Sequence, residues 1–328
     1  MGVSQTICCW PMSKNSVVKE KAIVAKPFVK WAGGKGNLLQ KLEALLPADF
    51  DDLKNVTYIE PFVGGGAMLF HMLTAHQNIR RVVINDINKD LIRCYQLVKE
   101  NPQTLIELLR PFEQRYYALD EDERRLYFYE VRNEYNNSEL TADQRAACFI
   151  FLNHTCFNGL YRENASGGFN VPFGRYKKPI ICNEDVIMAD HKVLYKVDII
   201  CGDYKNVLSH LGKGYNFIYF DPPYRPLMGS SNFNQYSMSG FGDPEQVELK
   251  AFCDRLTDRG CHLMLSNSDS TNEDGTSYFE TLYNGYIFKK LLAQRSISAD
   301  AKKRKKQSEV LIKNYDNPKE NLPFIKEK

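Results

Sequence analysis

The order of local patterns near the start of the chain constrains its fold more than any other feature. An apolar run at 56–59 is typical of a buried strand, and three consecutive glycines at 64–66 interrupt it. Residues 67–73 then have a helical pattern, and a second apolar run ends in Asn-Asp at 82–86. A strand, a helix and a strand in this order form a βαβ unit, whose two strands lie parallel in one sheet. The sequence therefore predicts an α/β fold.

Patterns in the rest of the chain continue the predicted α/β fold, and one helical and hairpin segment interrupts it. We expect helices at 104–117, 121–136 and 141–152, a hairpin at 159–176, and further strands at 199–200, 217–220, 263–265 and 310–312. Together these patterns indicate a doubly wound, mostly parallel Rossmann-like sheet with an inserted helical and hairpin domain. The predicted divisions are a loose tail at 1–26, a sheet domain at 27–99 and 191–316, an insert at 100–190 and a second tail at 317–328.

The cysteines, the apolar segments and the net charge narrow the class of protein. Nine cysteines are scattered without a Cys-x-x-Cys pair or a Cys/His metal spacing, which argues against a disulfide framework and a structural zinc. We therefore expect no metal. No segment has the length of a membrane span and the N-terminus lacks a signal-peptide pattern, so we expect a cytoplasmic protein, without a membrane partner. The net charge of +3 does not decide whether the partner is a polyanion.

Acidic residues lie at or near the ends of three predicted strands. Glu60 precedes the glycine turn, Asp86 ends the second strand and Asp203 follows a third. Ligands of open α/β sheets bind beyond the carboxyl ends of the strands, where glycines and a helix N-terminus also allow close approach. The glycines do not fit Gly-x-Gly-x-x-Gly, which disfavours a nicotinamide cofactor, and an acid at position 60 suits a ligand with an ammonium group. A tight turn with a capping Asp is the purely structural alternative.

The most informative stretch is Asp221-Pro222-Pro223-Tyr224, which follows an apolar strand pattern at 216–220. Proline fixes its own φ and holds the preceding residue extended, so this stretch predicts a rigid corner. The Asp221 carboxylate and the Pro222 carbonyl can then face the same point, with the Tyr224 ring beside it. The alternative is a strand that merely ends in a proline turn, and the glycine turn and the other acids disfavour it.

Such a corner suits methylation of the exocyclic amine of adenine. The lone pair of N6 is delocalised into the ring, so the amine is a poor nucleophile. Two acceptors that bind its N–H groups favour a tetrahedral nitrogen and stabilise the positive charge that develops during transfer. The methyl donor has only to be held in line, and Asp221 can take the proton afterwards. We expect the catalytic site to consist of Asp221, Pro222, Pro223 and Tyr224.

From about residue 27 to 315 the chain resembles the Dam-type (D12 class, alpha-group) DNA adenine-N6 methyltransferases. The matching segments occur in that family's order at 28–35, 60–66, 84–88, 158–162, 169–176, 221–224, 265–268 and 295–298. Each short motif alone is weakly specific, whereas the ordered set is highly specific. The chain departs from some members of the family at His154 and Thr155, which stand in place of an Arg and a Tyr.

The resemblance implies a role for each matching position. The methyl donor, S-adenosylmethionine, would contact Trp31, Lys35, Glu60, Phe62, Gly64, Gly66, Asp86, Asp203 and Tyr204. Double-stranded DNA would contact Lys30, Phe157, Asn158, Leu160, Arg162, Pro172, Arg175, Tyr176 and Arg295. A base inside a duplex is out of reach, so the adenine would flip out and stack on Tyr224, while Phe157 enters the duplex. We expect a monomer in solution.

Two regions supply positive charge for DNA. The hairpin combines aromatic residues with Arg162, Arg175, Lys177 and Lys178, which suits groove and phosphate contacts. The segment 295–306 includes five consecutive basic residues at 302–306. This basic run is either a phosphate-contacting surface or a solvated run of charge.

We expect the target sequence to be GATC. Arg162 has the planar fork that binds guanine in the major groove, and Lys30 offers a donor to a second guanine. Leu160 and Pro172 offer apolar surface to a thymine methyl group, and the family resemblance points to the same site. The main alternative is methylation of a protein glutamine amide or an RNA base, which uses similar corner chemistry, often with Asn in place of Asp221. A non-enzymatic DNA-binding module and an oxidoreductase fit the sequence less well. The sequence does not decide whether a restriction enzyme acts together with this protein.

Overall fold

Seven strands form one sheet in the computed structural model of this chain, which describes residues 23–225, 241–293 and 307–317. The strands are β1 (Val56–Glu60), β2 (Ile79–Asp86), β3 (Val197–Cys201), β4 (Asn216–Phe220), β5 (His262–Ser268), β6 (Ile287–Ala293) and β7 (Gln307–Lys313). Their order across the sheet is β3-β2-β1-β4-β5-β7-β6. Only β7 runs antiparallel to its neighbours, β5 and β6. The predicted doubly wound, mostly parallel Rossmann-like sheet is confirmed.

Helices cover both faces of this sheet. Those in the described residues are α1 (Leu39–Glu43), α2 (Ala67–Ala75), α3 (Lys89–Glu100), α4 (Pro102–Ala118), α5 (Glu121–Asn137), α6 (Ala142–Thr155), α7 (Glu184–Leu194), α8 (Asp243–Thr257) and α9 (Tyr278–Leu282). Short 3₁₀ turns occur at Phe50–Asp52, Phe157–Gly159 and Tyr204–His210. Within these residues, no helix is both long and apolar enough to cross a membrane.

Alternation along the strands divides the apolar core into two layers. Successive side chains of a strand point to opposite faces of the sheet. Tyr58 accordingly packs in a core layer with α1 to α7, whereas its neighbour Ile59 packs in the opposite layer with α8 and α9. β4 divides in the same way, with Phe217 in the first layer and Ile218 in the second. The strand is fully buried on both sides, which explains its unbroken apolar sequence.

The position of β1 between β2 and β4 determines where a ligand can bind. β1 pairs with β2 on one side and with β4 on the other, both in parallel. The chain therefore runs outward from β1 in one direction through β2 and β3, and returns to its other side for β4 and β5. In open α/β sheets the crevice at such a switch point, beyond the carboxyl ends of the strands, is where ligands bind.

The segment predicted as an insert is helical and ends in a hairpin-like loop. The predicted helices correspond to α4, α5 and α6, and capping boxes at Asp120 and Thr141 begin the last two. The loop pairs antiparallel through the bridges Cys156↔Phe173 and Glu163↔Phe169, with no continuous strand assigned at 159–176. The helices share the first core layer with the sheet. The proposed division into two domains stays a prediction.

Several sequence predictions fall on positions outside the described residues. These are most of the N-terminal tail, to residue 22, the C-terminal tail from 318, Arg295, and the basic run at 302–306.

Candidate active site

Four acidic residues meet at one edge of the sheet, as the sequence predicts. Glu60 ends β1, Asp86 ends β2, Asp203 follows β3 and Asp221 follows β4. These four strands are mutually parallel, so their carboxyl ends lie at the same edge. Glu60 and Asp221 belong to the two strands that flank the switch point. The candidate site is therefore the crevice above β1 and β4.

Glu60 is a buried acid that favours its neutral form. Its side chain is only 2% exposed, and the Tyr58 hydroxyl donates a hydrogen bond to Glu60 Oε1 at 2.5 Å. Burial raises the pKa of the Glu60 carboxyl to about 8; the negative charge of Asp221 adds to the increase and the Tyr58 hydrogen bond opposes it. A cationic group brought to this carboxyl would favour its ionisation.

Asp86 holds the glycine turn in place. Its Oδ2 accepts the backbone N–H of Gly64 at 3.1 Å, and its Oδ1 accepts that of Asn88 at 2.9 Å. Burial raises the pKa of Asp86, and these backbone hydrogen bonds oppose the increase. Asp86 therefore contacts the glycine turn directly, and it lies at the end of β2 as the sequence predicts.

The Trp31 ring packs directly on the glycine turn. A Cβ added at Gly64, whose φ is +48°, would lie 2.7 Å from Cδ1 of Trp31, so only glycine fits there. On its other side Trp31 stacks on Tyr161, with ring centroids 5.8 Å apart and an angle of 17° between the planes. Trp31 thus joins the turn to the hairpin-like loop.

An aromatic pair and an exposed acid lie among the residues that were predicted to contact the cofactor. The rings of Phe62 and Tyr204 stack with centroids 5.2 Å apart. Asp203 is 51% exposed, and its Oδ1 accepts the backbone N–H of Lys205 at 2.8 Å. Asp203 thus caps the 3₁₀ turn at Tyr204–His210, a local role that the strand-end pattern alone did not reveal.

The corner at 221–224, which the sequence predicts to be catalytic, contains an ion pair. Nζ of Lys35 lies 2.8 Å from Oδ2 of Asp221, and the Ser266 hydroxyl donates to Oδ1 of Asp221 at 3.1 Å. The Lys35 side chain is 3% exposed, and its Nζ lies 4.7 Å from the centroid of the Tyr224 ring. Lys35, expected among the cofactor contacts, therefore also contacts two residues of the catalytic corner.

Three side chains that the sequence patterns did not single out for this role fix the chain at the corner. The Gln246 side chain donates to the Pro223 carbonyl at 3.1 Å. Asn267 accepts the backbone N–H of Arg225 at 3.1 Å, and the Ser268 hydroxyl donates to the Arg225 carbonyl at 2.6 Å. Asn267 and Ser268 lie in the family-matching segment 265–268, which had no assigned role, whereas Gln246 gave no sequence signal.

The corner tyrosine is fixed at its hydroxyl end. The Tyr224 hydroxyl donates to Oε2 of Glu309 in β7 at 2.9 Å. Burial raises the pKa of Tyr224 well above its usual value, and the nearby Asp221 and Glu309 carboxylates add to the increase. The hydroxyl therefore stays protonated as a donor, and the ring has a fixed orientation.

Lys30 lies at the base of the hairpin-like loop. Buried Asn153 accepts the backbone N–H of Lys30 at 2.8 Å, and its amide donates to the carbonyls of Lys30 and Gly159. The Lys30 Nζ donates to the His154 carbonyl at 3.2 Å and lies 4.3 Å from the centroid of the Tyr176 ring. Asn153 is a further positioning residue that the sequence analysis missed.

The predicted DNA contacts within the described residues lie on or beside this loop, whereas Arg295 falls outside them. Phe157 is 43% exposed, and its backbone N–H donates to the Pro172 carbonyl at 2.8 Å. Arg162 is exposed, and its Nε donates to Oδ1 of Asn170 at 2.6 Å. The loop places the other predicted contacts beside these residues: Asn158 and Arg175, both with positive φ, and Leu160 and Tyr176, both partly buried.

The two departures from the family pattern do not add charge to this surface. The Thr155 side chain is fully buried and its hydroxyl donates to the Phe151 carbonyl within α6. His154 Nε2 lies 3.0 Å from the Phe28 carbonyl oxygen, and burial lowers the pKa of His154 to about 4. His154 is therefore neutral near pH 7 and offers no cationic contact to a phosphate.

The sheet order, the strand-end acids and the Asp-Pro-Pro-Tyr corner together define a Rossmann-like methyltransferase. Residues 31–297 match the family model described as D12 class N6 adenine-specific DNA methyltransferase, and the chain belongs to this family. The protein is accordingly an adenine-specific DNA methyltransferase, and the predicted family resemblance is confirmed.

Individual relatives are similar over nearly their whole lengths. The chain is 44% identical to the Type II methyltransferase M.MjaIII of Methanocaldococcus jannaschii over 293 residues, which cover 88% of this chain and 99% of the relative. It is 34% identical to the Type II methyltransferase M1.LlaDCHI of Lactococcus lactis subsp. cremoris, with 92% of this chain and 100% of the relative covered. It is 32% identical to a DNA adenine methylase of Vibrio cholerae, with 87% and 95% covered.

Proposed function

We propose that this DNA adenine-N6 methyltransferase uses S-adenosylmethionine as its methyl donor, flips the target adenine out of duplex DNA, and acts at GATC. The observation that carries the proposal is the pair of acids at the switch point. Glu60 is buried with a raised pKa and suits a cationic donor, whereas Asp221 lies in the rigid corner that suits an acceptor amine. One crevice thus has separate places for the two reactants.

The residues of the cofactor side fit the proposed donor. S-adenosylmethionine supplies an electrophilic methyl group on a sulfonium. Glu60 suits its ammonium group, and Asp86 at the end of β2 suits its ribose hydroxyls, as strand-end acids do in related folds. The stacked rings of Phe62 and Tyr204 offer aromatic surface. The amide oxygen of buried Asn85, beside the turn, has no hydrogen-bond partner within the described residues, which leaves an acceptor for a ligand.

Asp221 and Pro222 act on the adenine amine. The carboxylate and the Pro222 carbonyl accept the two N–H groups of N6, which localises the nitrogen lone pair for attack on the methyl carbon. Lys35 and Ser266 orient the carboxylate through its two oxygens. As the carbon–nitrogen bond forms, the bond from the methyl carbon to the sulfonium sulfur would break, and the donor would leave as a neutral thioether. The nitrogen then carries a positive charge, and one of its protons passes to Asp221. On the acceptor side these steps use the Asp221 carboxylate, the Pro222 carbonyl and the two side chains that orient the carboxylate.

Two aromatic residues support base flipping. Tyr224 is fixed through Glu309, so its ring is a preorganised platform on which the extruded adenine can stack. Phe157 is 43% exposed at the base of the loop and can fill the space that the adenine leaves. The exposed apolar ring is costly in water, which favours its insertion into a duplex.

The GATC assignment rests on four residues of the loop surface. The Arg162 guanidinium, restrained by Asn170, suits the O6 and N7 atoms of guanine. Lys30 offers a second cationic donor, and Leu160 and Pro172 offer contact to a thymine methyl group.

The assignment of the two acids is tested by separating donor binding from methyl transfer. Asp221→Ala is expected to lower the transfer rate at least about 100-fold while calorimetry shows donor affinity close to that of wild type. Glu60→Gln is the matched variant, and it is expected to weaken donor binding. Substantial turnover by Asp221→Ala would contradict the assigned role.

The target assignment is tested on plasmid from expressing cells that are otherwise unmethylated. An endonuclease blocked by methylated GATC is expected to fail, and one that requires methylated GATC is expected to cut. Arg162→Ala is expected to lose about 1–3 kcal/mol of discrimination at one base pair. Lys177→Ala, on the same loop, is the control and should leave the preference unchanged. Modified adenines in another sequence would refute the base-reading assignment without affecting the chemistry.

A further inference from the structure

Three side chains of types that commonly bind metal ions lie close together, away from the crevice described above. Glu43 ends α1, His71 lies in α2, and His76 directly follows α2. Oε2 of Glu43 lies 2.6 Å from Nε2 of His71 and 3.2 Å from Nε2 of His76. One ligand atom from each of the three residues lies within 4.8 Å of the other two. Two imidazoles and a carboxylate thus point at one small volume.

A fourth residue orients the buried member of this cluster. Oδ1 of Asp51 lies 2.6 Å from Nδ1 of His76, whose side chain is only 3% exposed. A carboxylate bound to one ring nitrogen fixes the orientation of a histidine and directs its other nitrogen to the ligand position. The His76 ring also packs edge-on against Phe50, with centroids 5.0 Å apart. His76 is therefore held ready to bind through Nε2.

We propose that Glu43, His71 and His76 bind one divalent transition-metal ion, with Zn²⁺ the best match. Imidazole nitrogens with a carboxylate oxygen suit Zn²⁺, whereas Mg²⁺ and Ca²⁺ prefer oxygen ligands alone. Metal–ligand bonds of about 2.0–2.1 Å place tetrahedral ligand atoms roughly 3.3–3.5 Å apart. His76 already lies at nearly this distance from Glu43. His71 and Glu43 have to separate by less than about 1 Å, and the two imidazole nitrogens, which lie within 4.8 Å of each other, have to reach the same spacing. His71 and Glu43 are partly exposed, which allows this adjustment.

The position of the site indicates a structural role. α2 begins next to the glycine turn at the catalytic edge and runs away from it for nine residues, or about 13 Å, before His76. The ion would join α1, the turn at Phe50–Asp52 and α2, and it would not reach the reacting atoms. It is thus compatible with methyl transfer by protein groups alone. The sequence expectation of no metal missed this site because Glu43 precedes His71 by 28 residues, and the spacing of His71 and His76 is alone a weak signal.

The proposal is tested on the full-length protein after treatment with a chelator. Titration with Zn²⁺ is expected to show one tight equivalent, and Co²⁺ is expected to give the visible absorption of a tetrahedral complex. With free Zn²⁺ at about 100 times Kd, the unfolding midpoint should rise by roughly 5 °C. His71→Gln is expected to abolish these effects, and because His71 is partly exposed, the variant should keep the far-ultraviolet circular dichroism of wild type. His210→Gln, outside the cluster, is the control.

A second variant distinguishes two interpretations of the cluster, a metal site and a network of charged hydrogen bonds. Asp51→Asn is expected to weaken Zn²⁺ binding about 10- to 100-fold while stoichiometry stays at one, because it alters only the orientation of His76. The proposal is overturned if wild type binds no stoichiometric metal, or if folded His71→Gln binds Zn²⁺ as wild type does. Either result would leave the cluster as imidazoles hydrogen-bonded to carboxylates.

Discussion

At the scale of single residues, burial gives two acids of the crevice different chemistry. Asp221 is partly exposed and paired with Lys35, so it is available as an acceptor. Glu60 lies deeper, and the hydrogen bond that its side chain accepts comes from a neutral hydroxyl, which leaves the protonated form favoured. The difference arises from solvation and neighbours, since both side chains carry the same functional group.

The proposed contact between Glu60 and the donor predicts that donor binding depends on pH. Its pKa of about 8 means that the free enzyme carries a proton there near pH 7. Pairing with the donor's ammonium requires the ionised form, so the proton is released on binding. Affinity is expected to rise by up to about tenfold per pH unit as pH approaches 8, then to fall as the donor's amine loses its own proton.

Calorimetry in two buffers with different ionisation enthalpies measures this proton. At pH 7 the wild-type enzyme is expected to release most of one proton per donor bound. Glu60→Gln should bind more weakly and release almost none, while Glu248→Gln, an exposed carboxylate on α8, should behave as wild type. Equal proton release by wild type and Glu60→Gln would contradict the assignment.

At the scale of elements, the turn between β1 and α2 strictly limits which residue can occupy position 66. Gly66 precedes α2 with φ of +73°, and a Cβ there would lie 2.4 Å from the Tyr95 hydroxyl oxygen. That hydroxyl donates to the Gly64 carbonyl at 3.0 Å. A side chain at position 66 would therefore strain the backbone and also displace the group that braces the turn.

Gly66→Ala is expected to lower the free energy of unfolding by roughly 2–4 kcal/mol, from backbone strain and overpacking together. It should also weaken donor binding, because the turn adjoins Glu60. Gly260→Ala isolates the backbone contribution, since Gly260 has φ of +76° and open space around its Cβ position. That control is expected to cost about 1 kcal/mol. Equal losses in urea unfolding would show that the collision with Tyr95 contributes nothing.

Local patterns predicted the elements that carry the strand-end acids, for a physical reason. The stretch of a strand that is buried on both faces is mostly apolar, so its end is visible where the first acid or glycine follows the apolar run, as at Glu60 and Asp86. Parallel pairing then brings these ends together whatever their separation in sequence. The strand β6 escaped prediction because its sequence, IFKKLLA, mixes lysines with apolar residues.

Contacts between distant segments could not be predicted in this way. Lys35 and Asp221 are far apart in sequence, and no spacing rule relates them. Ser266, which bonds Asp221, lies within an apolar strand pattern where a hydroxyl gives no signal. The family resemblance identified the segments that hold these residues, but their mutual contacts depend on how the sheet and loops pack.

At the scale of the whole molecule, the distribution of charge matters more for DNA binding than the net charge. The net charge is only +3, so long-range attraction to DNA depends on local concentration of basic residues. The loop surface around Lys30 and Arg162 is one such region. The basic run at 302–306 is another by sequence, although it lies outside the described residues.

Replacing the lysines of the basic run with glutamine is expected to weaken binding to all DNA sequences alike, because phosphate contacts carry no base information. The slope of log affinity against log salt should become shallower by about 0.9 for each phosphate that the variant no longer neutralises. Relative affinity for different duplexes should stay constant, in contrast to Arg162→Ala. An unchanged salt slope would show that the run is solvated and does not contact phosphates.

The pairing of β1 with β4 has a consequence for the newly made chain. Thr57 pairs with Asn216, so one side of the central strand lacks its neighbour until about 160 further residues have been synthesised. At about 5–20 residues per second this interval lasts roughly 8–30 s. During that time an apolar strand with free backbone groups stands at an open edge, which favours pairing with other nascent chains. Synthesis of the helical and loop segment is therefore the period in which the growing polypeptide most needs a chaperone.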